Sequence, residues 1–473
     1  MIIGREREQS ELLRLIEMEE PQFCVVYGRR RVGKTFLVRE TFANRFAFQH
    51  TGLANAKKSD QLREFKESLR AAGMRASRTP KTWYGAFGML QEHLASLPTG
   101  KKVVFIDELS WMDTPKSNFV SALEHFWNGW ATARSEKDIV LIVCGSATSW
   151  MIKKIIRNRG GLYNRLTMKI SLSPFTLREC KEYTQHLRLE LSDKDLLEAY
   201  MIMGGIPYYW SFLRRGESLA QNIDRIFFTS DAPLADEYSA LYASLFKSSS
   251  SHIAVITALA QKKIGMRRME ILAETQLDDN SLFNNTLEEL EQCHFIRRYY
   301  AFRKKERDSL YQLMDNFTLF HCRFIKGNDH RDEHFWSHSL GTPAHYAWVG
   351  LAFERVCLWH LPQIRIALGI SGVITSACAW HSEPTADHSG AQIDLLIDRN
   401  DNIINLCEMK YADTEYAITQ QEDERLRNRK AVFQAVTRTR KAVHLTMVTT
   451  YGVKHNAYWG NVQSEVTMKE LFV

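Results

Sequence analysis

The pattern of apolar and polar positions changes character along the chain. In the first part, unbroken apolar runs at Phe23–Tyr27, Val103–Ile106 and Ile139–Cys144 alternate with amphipathic stretches. Runs of this length read as strands of a parallel sheet buried on both faces. The amphipathic stretches read as helices. One carries Leu12, Leu13 and Ile16 at helical spacing, a polar one runs from Lys57 to Ala72, and another from Trp83 to Leu97. Phe119 to Trp130 places Phe119, Leu123, Phe126, Trp127 and Trp130 on one face, a stripe that belongs in a core. Ile170 to Phe175 reads as a last strand and turn, Thr176 as a helix cap, and Asp193 to Met203 as a helix stopped by Gly204-Gly205-Ile206-Pro207.

Further on the pattern shortens. Lys247-Ser248-Ser249-Ser250-Ser251 is small and polar, a domain boundary. Helices follow at Ile253–Ala260, Met269–Ala273 and Ser281–Cys293, the last with caps on offer from Asp278, Asp279 and Asn280. Strand-like His294–Phe302 and Ser309–Leu313 flank the charged turn Arg303–Asp308. Three helices and a basic hairpin predict a winged helix-turn-helix. Its recognition helix carries Glu288, Glu289 and Glu291, which repel phosphate, so a protein-interaction role stands beside DNA reading. From Trp348 to Leu361 an amphipathic helix contains Glu354, and Ala391–Asp398 and Ile403–Lys410 form a hairpin around Arg399-Asn400-Asp401-Asn402. A basic helix with Arg425, Arg427, Arg429 and Lys430, then Arg438, Arg440 and Lys441, comes next. The expected fold is α/β: a parallel-sheet core over residues 1–175, a helical lid over 176–247, a winged helix-turn-helix over 248–315 and a second α/β domain over 316–473.

Chemistry enters at the first strand. Gly28 to Thr35 fits G-x-x-x-x-G-K-[ST] between a strand and a helix, the context a P-loop requires. Gly28, Arg31 and Gly33 belong to a turn whose N–H groups face phosphate oxygens. Lys34 would reach the β- and γ-phosphates of ATP and Thr35 would hold Mg²⁺. The second strand ends in Asp107-Glu108: Asp107 suits Mg²⁺ through water, Glu108 the activation of an attacking water. The third strand ends in Gly145-Ser146, where Ser146 is a candidate γ-phosphate sensor. In the basic loop Arg157–Arg165, Arg165 is a candidate arginine finger, in cis or across a subunit interface. Pro207 is a candidate contact for the base.

The hairpin carries a second set. Asp394 lies five residues before Arg399, Glu408 six after Asn402, and Glu408 and Lys410 share a sheet face. Two carboxylates that hold Mg²⁺, or Mn²⁺, beside a lysine that orients water are the chemistry of a metal-dependent phosphodiesterase, with Glu354 completing the metal shell. A plain hairpin with a surface Glu–Lys pair is the alternative.

Composition narrows this little. With 473 residues, 45% apolar and 25% charged, the chain is an ordinary globular one of several domains. No apolar run approaches the roughly 20 residues of a membrane helix, and charges follow the first residues at once, so neither membrane nor secretion is expected. Eight cysteines without a C-x-x-C pair fit the reducing cytoplasm. A net charge of +7 permits nucleic-acid binding.

These motifs together resemble the archaeal-type ATPases, a branch of the STAND/AAA+-like P-loop proteins also found in bacteria. The resemblance rests on Gly4-Arg5-Glu6, Tyr27–Thr35, Phe105–Glu108, Cys144-Gly145-Ser146 and Gly204–Pro207, then Phe353-Glu354, Ile393-Asp394 and Glu408-Met409-Lys410. It implies an N-terminal ATPase, a winged helix and a restriction-endonuclease-like domain of the PD-(D/E)XK type, with Asp394, Glu408 and Lys410 as a nuclease centre acting on DNA. One chain holding both sites, joined by a winged helix with few DNA-reading residues, leads to the expectation that nucleotide state sets domain arrangement or oligomerisation, with homo-oligomers or a protein partner, an arrangement that by analogy suits genome defence or mobile-element control. The segment from Gly369 to Ser389 departs from the family pattern, being longer and more polar, and leaves the strand before Asp394 unassigned. The rival reading is an ATP-gated DNA- or protein-binding regulator whose last domain is catalytically silent.

Overall fold

A computed structural model describes residues 1–75, 78–158, 160–246, 249–304, 309–328, 332–384 and 389–473. Arg159 of the basic loop, residues 247–248 of the small polar boundary, 305–308 of the charged turn and 385–388 of the long polar segment lie outside them. The chain forms two compact units, Met1–Pro174 with Ala243–Lys247, and Phe175–Tyr242 with Ser248–Val473. The lid, winged-helix and C-terminal segments fall in the second unit, apart from residues 243–247.

The first unit is built on a five-stranded parallel sheet. Its strands are β1 (Gln22–Tyr27), β2 (Phe48–Thr51), β3 (Lys102–Asp107), β4 (Ile139–Gly145) and β5 (Met168–Ser171), in the order β2-β3-β4-β1-β5. The unbroken apolar runs have their physical reason here, since every residue of β3 and β4 is buried between layers of helix. Parallel pairing of β4 with both β1 and β3 brings the C-terminal ends of these strands side by side. That edge is where open parallel sheets place their ligands. The aromatic stripe packs inward: Phe119, Leu123, Phe126 and Trp127 are buried, Phe23 lies 5.0 Å from Trp127, and Phe119 lies 4.8 Å from Trp83. β5 stops at Ser171, earlier than the apolar pattern to Phe175 implied. Leu172 N–H still bonds Tyr27 O at 2.8 Å, but Pro174 has no N–H to continue a ladder.

A buried ion pair fastens one end of this sheet. Lys102 bonds Asp138, both side chains being 5% exposed, and Arg134 Nε donates to the same carboxylate at 2.9 Å. Asp138→Ala would strand a buried ammonium, and we expect it to cost about 3–5 kcal/mol in chemical denaturation. A loss below about 1 kcal/mol would show that Lys102 finds water instead.

The second unit opens with helices Leu177–His186 and Asp193–Met203, each started by a capping box, Thr176 with Glu179 and Ser192 with Asp195. Helices Ser250–Ala260, Arg268–Thr275 and Ser281–Gln292 follow, the last capped by Asn280. They accompany an antiparallel three-stranded sheet of β6 (Met266–Arg267), β7 (Ile296–Tyr299) and β8 (Leu310–Leu313), ordered β6-β8-β7. β7 is shorter at both ends than the apolar pattern; at its start His294 turns into the left-handed region, φ 59°. Glu289 on the third helix pairs with His252 at 3.0 Å, within the helical cluster.

The last sheet contains β9 (Thr375–Ser382), β10 (Ala391–Arg399), β11 (Ile403–Lys410), β12 (Ala442–Thr449) and β13 (Ser464–Val466), in the order β13-β12-β11-β10-β9. β9, β10 and β11 are antiparallel, and β11, β12 and β13 parallel. β9 supplies the strand that the long polar segment concealed; it is an edge, so only part of it is buried. The crossover from β11 to β12 carries helix Gln420–Thr437. Contrary to the run of charges, the helix does not reach Arg438, Arg440 and Lys441. Arg438 is its left-handed cap at φ 48°, and Lys441 beyond it bonds Asp398 at 2.6 Å.

Candidate functional site

At the C-terminal edge of the first sheet the chain turns sharply after β1. Gly28 has φ 146°, and a Cβ there would stand 2.3 Å from Leu172 O, so only glycine fits. Arg31 takes φ 69° and Gly33 φ 92°, and Gly33 begins helix Lys34–Thr41 with no side chain capping its N-terminus. The N–H groups of that first turn are thereby left for an anion. Lys34 is buried and Nζ donates to Arg29 O at 2.8 Å, across the turn that a phosphate would fill.

The acids of β3 meet this turn. Thr35 Oγ1 donates to Asp107 Oδ2 at 2.7 Å, and Asp107 Oδ1 accepts from Glu108 N at 2.8 Å. A hydroxyl and a carboxylate joined in this way are the donor pair that a magnesium ion bound to triphosphate uses, and Thr35 and Asp107 would hold it. Glu108 sits in the left-handed region at φ 47°, a strained setting for a residue with a long side chain. Its Oε2 accepts from Ser146 Oγ at 2.9 Å and Ser146 N at 3.3 Å. Burial, with Asp107 nearby, raises the Glu108 carboxyl above its ordinary value against the pull of Lys34. A base of raised affinity for protons suits water activation.

The second unit holds a separate group of acids around β10 and β11. The ladder between these strands runs to Leu395 opposite Cys407, and Asp394 and Glu408 are the residues just beyond that last pair. Asp394, Glu408 and Lys410 are half-buried while Leu395, Cys407 and Met409 are buried, so the three share the open face. Lys410 Nζ lies 3.0 Å from Glu408 Oε1, and Arg429 Nη1 2.6 Å from Glu408 Oε2. Although burial works against it, the Glu408 charge keeps Lys410 above its ordinary value. Gln392 Nε2 donates to Asp394 Oδ1 at 2.6 Å. Glu354, from helix Pro343–Trp359, reaches the same region through a cation: Lys263 Nζ lies 2.6 Å from Glu354 Oε1 and 3.2 Å from Asp394 Oδ2. Burial, with Asp394 close by, pushes the Glu354 carboxyl up to about 7. Beside these acids lies a groove of about 500 Å³ whose lining includes His381, Gln392, Arg425, Asn428 and Arg429. As they stand the acids do not make a metal shell: among the described residues no group of three or more His, Cys, Asp or Glu is arranged to hold an ion.

Comparison with known proteins addresses the first site. Residues 2–212 match an ATPase domain found predominantly in Archaea. This part of the chain is thus similar to that ATPase family over 211 residues, 212 − 2 + 1. The match supports ATP binding or hydrolysis by this part of the chain. An uncharacterized protein of Methanocaldococcus jannaschii is 24% identical over 419 residues, 87% of this chain and 88% of the relative. Among solved structures, a Walker-type ATPase of Pyrococcus abyssi has a TM-score of 0.49 at 17% identity, covering 68% of this chain and 96% of that one. The ORC2 protein of Aeropyrum pernix, solved with ADPNP and ADP, has a TM-score of 0.43 at 14% identity, covering 76% and 96%.

Within the ATPase domain, the bonds that join Thr35, Asp107, Glu108 and Ser146 do not involve Arg165, which is exposed in the turn after β4. Pro207 lies in the second unit, at the first position of the short helix Pro207–Trp210. The glycines before it have a local reason. Gly204 ends helix Asp193–Met203 at φ 61°, and a Cβ on Gly205 would stand 1.9 Å from Phe175 O. Sequence reasoning missed Lys263, Gln392 and the role of Arg429. Nothing near Lys263 in the chain marks it, since its partners are far away in sequence. Gln392 was legible, two residues before Asp394 on the same face.

Proposed function

We propose that this chain is an ATP-driven switch whose second unit carries a metal-dependent DNA nuclease centre. The observation that supports the switch is the Thr35–Asp107 bond at 2.7 Å beside a buried Lys34, with Glu108 on Ser146 next to it. In this reading Lys34 and the N–H groups after Gly33 bind phosphate, Thr35 and Asp107 hold Mg²⁺, and Glu108 takes a proton from the attacking water. Ser146 reports the γ-phosphate by giving up its bond to Glu108. Arg165 supplies a charge to the γ-phosphate, in cis or from a neighbouring subunit. The role of Asp394, Glu408 and Lys410 in cutting DNA rests on their shared face and on the arginine-bearing groove beside them, which suits a phosphodiester strand. When bound, a divalent ion there would supply a polarised phosphate and an activated water. Lys410 would stabilise the charge that develops on phosphate. Nucleotide state would gate cutting through domain arrangement or oligomerisation, a device suited to genome defence or control of mobile elements.

A second reading has its own observation. Glu354 and Asp394 are already bridged by Lys263, and Glu408 by Lys410 and Arg429. Carboxylates so neutralised fit a silent domain in an ATP-gated DNA- or protein-binding regulator. Incubating the protein with plasmid and oligonucleotides, Mg²⁺ or Mn²⁺, with and without ATP, separates the two. The nuclease reading expects cleavage that Asp394→Ala and Lys410→Ala each reduce at least about 100-fold. Intact ATP turnover with no cleavage under any of these conditions would leave the regulator.

A further inference from the structure

The cation between Glu354 and Asp394 is not an accident of two surface side chains meeting. Lys263 lies in the loop between helix Ser250–Ala260 and β6, and that loop is pinned from several directions. The main-chain oxygen of Lys263 accepts from Arg355 Nη2 at 2.6 Å and from Gln312 Nε2 at 2.7 Å. The next carbonyl, Ile264 O, accepts from the Tyr299 hydroxyl at 2.5 Å. Three elements thus fix the loop: the helix that also carries Glu354, strand β8 and strand β7. Gly265 then makes the turn into β6 at φ 94°, where a Cβ would stand 2.2 Å from Tyr311 O. The main chain is held in place, and from it Lys263 delivers an ammonium between two carboxylates. Glu354 is 8% exposed on its side chain and Asp394 28%, so their mutual repulsion is poorly screened and a cation between them is strongly favoured.

We infer that Lys263 occupies the place a divalent metal would take between Glu354 and Asp394, so that the winged-helix segment keeps the acidic centre closed to metal until Lys263 is withdrawn. This rests on the reading of Asp394 and Glu354 as metal-binding acids. It explains why acids suited to a metal do not form a metal shell: two of them are held by a lysine from another subdomain. It also makes metal binding and the position of the Lys263 loop mutually exclusive, a coupling that either one can drive. Lys410 does not duplicate it, since its ammonium goes to Glu408 and Glu422.

The test is a Mn²⁺ titration of the nucleotide-free full chain, read by loss of the free-ion paramagnetic resonance signal. Wild type is compared with Lys263→Ala, with Lys263→Met, which keeps the apolar stem, and with each of these combined with Asp394→Asn. Both single variants are expected to bind Mn²⁺ at least about tenfold more tightly than wild type, about 1.4 kcal/mol. The gain should vanish when Asp394→Asn is added. Thermal melting identifies a variant that fails to fold, and the remaining one then decides. If neither variant binds more tightly while Asp394→Asn weakens binding by the wild type, the centre takes metal unguarded and the inference falls alone. If no Mn²⁺ binding depends on Asp394 in any protein, the inference and the nuclease reading fall together.

Discussion

Lys34→Ala is expected to bind ATP and ADP on the order of 100-fold more weakly by isothermal calorimetry, a loss of about 3 kcal/mol. The reason is local. Lys34 is buried at the start of an uncapped helix, and its ammonium already spans the turn to Arg29 O at 2.8 Å. A phosphate entering that turn replaces one carbonyl with several charged oxygens, so the ammonium gains far more from ligand than it gives up. In the absence of nucleotide the variant loses a single hydrogen bond to a main-chain oxygen, worth about 1 kcal/mol, and should remain folded. Unchanged affinity in a folded variant would remove this turn from the nucleotide site.

The Glu108→Gln protein should do the opposite: bind ATP as wild type does and turn it over about 10²–10⁴-fold more slowly. Glutamine keeps an oxygen to accept from Ser146 Oγ, so the local geometry is preserved while the base is lost. Because burial raises the Glu108 carboxyl, wild-type turnover should climb with pH as that group loses its proton, and the glutamine variant should lack this limb. Phosphate release at saturating ATP across the pH range gives both answers. A wild-type rate from the glutamine protein would take Glu108 out of the chemistry.

Much of the fold was legible because local pattern and tertiary environment agree. β3 and β4 are buried along their whole length, so the stretches Val103–Ile106 and Ile139–Cys144 are unbroken apolar runs and stand out. Where the two disagree the pattern misleads. β9 is an edge strand with only two of its eight residues buried, and its polar sequence hid it. The charges at Arg438, Arg440 and Lys441 read as a continuing helix, but Arg438 closes it in the left-handed region and Lys441 is used to hold Asp398.

The amino-acid order alone determined the strand, glycine turn and helix around Lys34, the acids that end β3, and the alternation that sets Asp394, Glu408 and Lys410 on one face. These follow from chain geometry over a few residues: the φ values only glycine takes easily, and the period of two in a strand. Folding decided the rest. It brought Thr35 to Asp107 and Ser146 to Glu108 by laying β4 between β1 and β3. It also set Lys263 between Glu354 and Asp394, groups 91 and 131 residues further along the chain, counting 354 − 263 and 394 − 263. No local rule carries such a pairing, because charge acts through space, and only the packed chain says which charges share it.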